Sequence, residues 1–202
     1  KIGVFLKKQG VIMLILASQS PRRIQILTEH NFDFKAIKPS WDESKMSAVN
    51  WRSYATIQAY FKAKSVLEEE NLPEDDIVLA TDTTVVLKNE ILGKPETAEH
   101  CFEILKKLNG KKHKVVSGVA IIHKNKVYSF QVTTYVYFKK NSGDEIQRYI
   151  ELAKPFDKAG GYGIQDKENN LIEKISGDYS NVVGMPTAAL NKIGEILKCQ
   201  AK

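Results

Sequence analysis

The stretch Ile12-Met13-Leu14-Ile15-Leu16-Ala17-Ser18-Gln19-Ser20-Pro21-Arg22-Arg23 decides how the rest of the chain is read. Its apolar run from Ile12 to Ala17 is short enough to be one buried strand. Ser20 then stands at a helix N-cap position, Pro21 suits the first helical position, and Ile24 and Leu27 follow at helical spacing. A strand therefore delivers a helix N-terminus. Such a terminus carries partial positive charge and unpaired N–H groups, so two arginines in its first turn are locally unfavourable without a negative partner. Local chemistry leaves two readings open: an anion site made of guanidinium groups and the helix end, or two solvated surface arginines.

Outward from this start, 202 residues suffice for one large domain or two small lobes. A 43% hydrophobic and 27% charged composition, with no long uncharged apolar run, reads as a globular protein without a membrane span. Lys1 to Lys8 lack a continuous apolar core, so no export signal is read. Residues 1–11 are expected to be an N-terminal extension to a single domain over 12–202. Thirty Lys and Arg against 24 Asp and Glu leave +6, which favours an anionic ligand but is too mild and evenly spread to demand nucleic acid. Cys101 and Cys199 begin no Cys-x-x-Cys pattern, so reduced thiols and a cytoplasmic setting are expected. His30, His100, His113 and His123 are scattered and predict no zinc site.

Along the chain, Phe32 to Ala36 alternates like a strand that Pro39 ends, and Ser40 to Ser44 reads as a loop carrying Asp42 and Glu43. Trp51, Ala55, Ala59, Ala63 and Val66 mark a helical face, whereas Lys62 and Lys64 read from spacing alone as solvated. Ile77 to Ala80 predicts a short strand running into Thr81-Asp82-Thr83-Thr84. That places Asp82 at a strand's end, where open α/β sheets bind ligands, or makes it a turn aspartate. Val85 to Leu87 and Glu90 to Leu92 predict a hairpin leading to Gly93-Lys94-Pro95, which lacks the pattern of a P-loop. Thr97 is expected to cap a helix, Val115–His123 and Lys126–Phe138 to form a long hairpin, and Ser142 with Glu145 to form a capping box. Pro155 to Gln165 gathers three glycines beside Lys158, Tyr162 and Gln165, which suits a nucleotide cradle or a structural turn. Leu171 to Ile175 predicts a strand, Gly177 to Pro186 an irregular stretch, and Thr187 the cap of a final helix.

Taken in order, Leu16-Ala17-Ser18-x-Ser20-Pro21-Arg22-Arg23, Asp42-Glu43, Lys62-Ala63, Thr81-Asp82-Thr83, Gly93-Lys94-Pro95, Asp157 to Gln165 and Gly177-Asp178-Tyr179-x-Asn181-Val182-Val183-Gly184-x-Pro186 resemble the Maf (septum-formation) family of nucleoside triphosphate pyrophosphatases. The resemblance implies an ITPase-like α/β fold, with an elongated mixed sheet, flanking helices and a cleft between two lobes. It implies hydrolysis of a nucleoside triphosphate to monophosphate and pyrophosphate with a divalent cation, Mg2+ or Mn2+, in a homodimer. Carried onto this chain, Asp82 would accept the proton of water, and Glu43 with Asp82 would hold the metal. Ser20, Arg22, Arg23, Lys62, Thr83, Lys94, Lys158 and Gln165 would bind substrate. Arg22, Thr83 and Gln165 match the dTTP/UTP branch, and the carbonyl and amide of Gln165 suit the donor and acceptor edge of uracil or thymine.

Three positions depart from the family's usual pattern: Thr81 precedes the catalytic Asp in place of Ala, Trp41 precedes the acidic pair, and Asp166 stands where Gly often follows the Gln. Thr81 is expected to add a hydroxyl near the metal, and Asp166 to alter loop closure. Competing expectations are a nucleotide-sensing or nucleic-acid-binding regulator of cell division, and, among enzymes, cleansing of modified pyrimidine triphosphates or of 7-methyl-GTP.

Overall fold

The computed structural model describes residues 12–46, 50–168 and 170–200, so the expectation of an extension over 1–11 lies outside the described residues. In chain order the elements are β1 (Leu14–Ala17), α1 (Pro21–Glu29), β2 (Phe34–Ile37), α2 (Trp51–Glu69), β3 (Ile77–Leu87), β4 (Glu90–Leu92), α3 (Ala98–Leu108), β5 (Lys112–His123), β6 (Lys126–Phe138), α4 (Gly143–Ala153), β7 (Ile172–Ser176), α5 (Tyr179–Val183) and α6 (Thr187–Gln200). The strands form one mixed sheet in the order β2-β1-β3-β5-β6-β7, with β4 paired to β3 off that path. β1 runs parallel to both β2 and β3, whereas β3, β5, β6 and β7 are joined antiparallel.

The pattern of β3 explains the layout. Its alternate residues face opposite sides of the sheet. Ile77 and Leu79 pack with α1 and α6, while Val78 and Ala80 pack under α2. At the far end Val85 and Leu87 join α3 and α4, and Val86 meets Ala55 of α2. Between these apolar segments lies Thr81-Asp82-Thr83-Thr84, matched on β5 by Val119, Gly118, Ser117 and Val116. The sheet is thus continuous while its core is interrupted, and the interruption is polar.

That continuity corrects the expected position of Asp82. The strand does not end there: β3 continues to Leu87, and Asp82 sits in mid-strand opposite Gly118. Local sequence reads Thr81 to Thr84 as a turn, but β-branched threonines are good strand residues once β5 supplies the ladder. The Gly177 to Pro186 stretch, expected to be irregular, contains α5, with Asp178 capping it by accepting from Ser180 N–H. The expected strand after α1 lies slightly later, over Phe34–Ile37. The long β5–β6 hairpin, the Thr97 cap and the Ser142–Glu145 capping box are as expected.

Helix α2 approaches the sheet closely because of one glycine. A Cβ built on Gly118 would lie 2.2 Å from the backbone carbonyl of Ala55 and 2.3 Å from Thr56 N. With Ala55, Ala59 and Ala63 on its buried face, α2 rests almost backbone-to-backbone on β5. No helix among the described residues is long and apolar enough to cross a membrane.

Candidate active site

The polar interruption of β3 forms the floor of a cavity of about 1070 Å³. Ser20, Arg22, Arg23, Glu43, Lys62, Asp82, Thr83, Lys94, Lys158 and Gln165, separated widely in sequence, all line it. Even-numbered Asp82 faces α2, and there Lys62 Nζ donates to its Oδ1 at 2.5 Å. Lys62 is therefore buried, not solvated as its spacing suggests; a buried ammonium requires paired carboxylates. Its second partner is Glu43 Oε1 at 2.7 Å, and Lys94 Nζ lies 3.9 Å from the other Glu43 oxygen. Burial pushes the Glu43 carboxyl up, but Lys62, Lys94 and Arg23 together outweigh it and hold the group below the usual range.

Glu43 is placed by residues that local sequence does not single out. It lies on a 3-10 turn, Glu43–Lys45, begun by Asp42, whose side chain accepts from Ser44 N–H. Gln58, fully buried on α2, donates through Nε2 to the Glu43 carbonyl at 3.2 Å and accepts from Trp41 Nε1 at 2.6 Å. Trp41 stacks on Phe61 with ring centroids 4.4 Å apart. The tryptophan before the acidic pair thus clips the loop to α2.

On the other face of β3, odd-numbered Thr81 and Thr83 meet α1 and α5. Thr81 Oγ1 donates to the Gly184 carbonyl at 2.8 Å, which Arg23 Nε also reaches at 3.0 Å. The expectation of a Thr81 hydroxyl near the metal is therefore corrected: alternation sends it to the face opposite Asp82. Thr83 Oγ1 lies 2.8 Å from Ser117 Oγ. Ser20 occupies the N-cap position of α1 as expected, and its side chain makes no capping bond. Burial depresses the Arg23 guanidinium below its ordinary value, opposed by attraction to Asp82.

The loop after α4 closes the cavity. Arg22 donates to Asp157 Oδ2 at 3.0 Å, and Lys158 Nζ stands 3.3 Å from Asp157 and 3.5 Å from Asp166. The partners of the first-turn arginines in the free protein are thus its own oxygens. Asp157 is held below the ordinary carboxylate range because Arg22 and Lys158 outweigh the upward push of burial.

Glu43 and Asp82 fit a hard divalent cation. Both already converge on one positive charge, the Lys62 ammonium, and Mg2+ characteristically takes one or two protein carboxylates plus substrate oxygens and waters. Among the described residues no group of three or more His, Cys, Asp or Glu could hold a metal by protein ligands alone.

A family model described as Maf-like protein matches residues 13–195. A dTTP/UTP pyrophosphatase of Thermosipho africanus is 46% identical over 184 residues, 91% of each chain. A dTTP/UTP pyrophosphatase of Alkaliphilus oremlandii is 42% identical over 188 residues, covering 92% of this chain and 94% of that one. Among solved structures, the Staphylococcus aureus Ham1 protein overlaps 62% of this chain and 71% of its own at 14% identity, with a TM-score of 0.43.

Proposed function

The chain belongs to the Maf-like family, and we propose that it hydrolyses nucleoside triphosphates, dTTP and UTP foremost, to the monophosphate and pyrophosphate. One observation carries this: a lysine-bridged carboxylate pair, Glu43–Lys62–Asp82, shares a single cavity with Arg22, Arg23, Lys94 and Gln165. A site with acids for water and metal at one wall, cations at another and an amide at the rim has what phosphoanhydride hydrolysis needs.

Water attacks the α-phosphorus, a new P–O bond forms, and the bond to the oxygen leaving with pyrophosphate breaks. Asp82 accepts the proton released by water. Lys62, bonded to Asp82 in the nearly buried floor, keeps that carboxylate aimed. Arg22, Arg23 and Lys94 oppose the charge that develops on the phosphate oxygens and the leaving group. Ser20 and Lys158 add donors along the chain of phosphates, Thr83 lines the wall beside Arg23, and Gln165 pairs with the base edge. Glu43 and Asp82 would hold Mg2+ or Mn2+, whose charge draws electron density from the phosphate oxygens. The same proposal includes a homodimer in the cytoplasm, in keeping with two free cysteines, one of them with its thiol pushed up to about 11 by burial.

The test is pyrophosphate release from dTTP, UTP, CTP, ITP and 7-methyl-GTP with either metal, for wild type beside Asp82→Asn. Preferential release from dTTP and UTP, lost in the variant although nucleotide still binds, is expected. Preference for 7-methyl-GTP would overturn the substrate assignment. Binding without release from any nucleotide would replace the enzyme with a nucleotide sensor.

A further inference from the structure

Gln165 does not stand on a free loop. The turn Gly163-Ile164-Gln165-Asp166 is closed by its own backbone bond, Asp166 N–H to the Gly163 carbonyl, at 3.2 Å. A single side chain from α4 locks the same turn at both ends: the Tyr149 hydroxyl accepts from Gly163 N–H at 3.0 Å and donates to Asp166 Oδ2 at 2.6 Å. The other Asp166 oxygen faces Lys158 Nζ at 3.5 Å, and both side chains are nearly buried, 15% and 14% exposed. A Cβ on Gly163 would fall within 2.7 Å of both Asp166 oxygens and of Lys158 Cε, so the carboxylate and the lysine stem pack directly over the turn. Tyr149 itself is fixed in the core formed by α3, α4 and the far end of β3. Burial, and then its bond to Asp166, push the phenol well above its ordinary pKa, so it remains a donor at any working pH.

We propose that Tyr149 and Asp166 form a clamp that sets base discrimination by holding Gln165 at a fixed position against the nucleobase. The clamp rests on the function proposed above, in which Gln165 reads the base. An amide discriminates among bases only if its turn cannot shift to meet a different edge. Here one hydroxyl removes that freedom: the two residues it ties flank the turn, and the anchor is a buried side chain on a helix rather than another loop. Asp166 belongs to the clamp because it accepts the Tyr149 hydroxyl at one end of the turn while packing over Gly163 at the other. Tyr149 and Asp166 act through Gln165, so they are positioning residues.

The test is kcat and KM for UTP, CTP and ITP in wild type, Tyr149→Phe, Asp166→Ala, Asp166→Asn and Gln165→Ala. Tyr149→Phe removes one oxygen and keeps the ring in its core. The ratio of kcat/KM for UTP over CTP and ITP is expected to fall about tenfold in Tyr149→Phe and in Gln165→Ala, and about threefold in Asp166→Ala. In Tyr149→Phe the loss should sit in KM for UTP, with kcat within about twofold of wild type. Asp166→Asn keeps an acceptor for the Tyr149 hydroxyl and should retain the wild-type ratio. An unchanged ratio in Tyr149→Phe, or equal losses of kcat on all three nucleotides, would overturn the clamp while leaving the pyrophosphatase intact. Asp166→Asn behaving like Asp166→Ala would also overturn it, because charge rather than the clamping bond would then matter. A wild-type protein that releases no pyrophosphate would overturn the proposed function and the clamp together.

Discussion

Gly118→Ala probes the geometry on which the candidate site depends, without touching any side chain that lines it. The new methyl would meet Ala55 C and O at 2.2 Å, whereas real Cβ atoms essentially never come within 3.0 Å of such neighbours. Both obstacles are backbone, so no rotamer change relieves the clash, and α2 must retreat from β5 by about 1 Å. Lys62 lies about 10 Å further along the same helix, and its 2.5 Å bond to Asp82 opens as the helix lifts or tilts. Gln58, between the two, carries the Glu43 loop with it. Overpacking of this kind costs about 1–3 kcal/mol of stability, and a catalytic misplacement near 1 Å costs about 10²-fold in turnover. Urea unfolding measures the first and kcat with UTP the second. Gly194→Ala is the control, because beyond its chain neighbours and its own helix backbone no described atom lies within 4 Å of the added Cβ; stability should be unchanged or slightly improved. A Gly118→Ala protein with wild-type kcat and stability would refute the claim that close helix–sheet approach holds Lys62 in place.

Two further outcomes follow from the electrostatics. His113, buried against Tyr162 and Phe138, has its imidazole pushed down from 6.5 to about 4 by burial, so between those pH values the unfolded chain binds a proton that the folded protein does not. Stability is therefore full above about pH 6.5 and declines as pH falls toward 4, by about 3 kcal/mol; urea midpoints at pH 7.5 and 4.5 should converge in His113→Gln relative to wild type. Asp157→Asn removes the carboxylate that, in the proposed site, would compete with substrate for Arg22. Because the pair is substantially exposed, at 31% and 61%, solvent screening limits the gain to about a two- to fivefold lower KM for UTP, shrinking as salt is added.

The opening strand and helix were legible because their signals are local: the length of the apolar run, then Pro21 and a helical spacing of Ile24 and Leu27. The capping box at Ser142 and the long hairpin were legible for the same reason. What local sequence hides is whatever a distant segment imposes. Thr81 to Thr84 resembles a turn until Ser117 and Gly118 pair with it, and Lys62 looks solvated until Asp82, twenty residues away, takes its proton donor. α5 is disguised by Gly177, Asp178, Ser180, Asn181 and Gly184, all common turn residues, because its five residues rest mainly on caps and on Asn181, whose amide bonds the Val115 carbonyl. The group of cavity-lining residues was reached through the ordered resemblance. Gln58, Tyr149 and Gly118, which position those residues, leave no signal in their immediate neighbours.

The cleft's cations differ in how readily a triphosphate can claim them, and exposure decides the order. Lys62 is bound to Asp82 where both side chains are close to buried, 8% and 10% exposed, so separating them would strand a charge in a region of low dielectric. Arg22 is bound to Asp157, whose carboxylate is mostly in water and loses little by returning to it. In the proposed site an incoming polyphosphate would therefore exchange with Asp157 for Arg22, and leave the Lys62–Asp82 pair standing. The division suits the two tasks. A binding cation must be released from its resting partner on each turnover, whereas one that orients the proposed proton acceptor must not be, and the place of Asp82 in the middle of a paired strand rather than on a loop suits that proposed role.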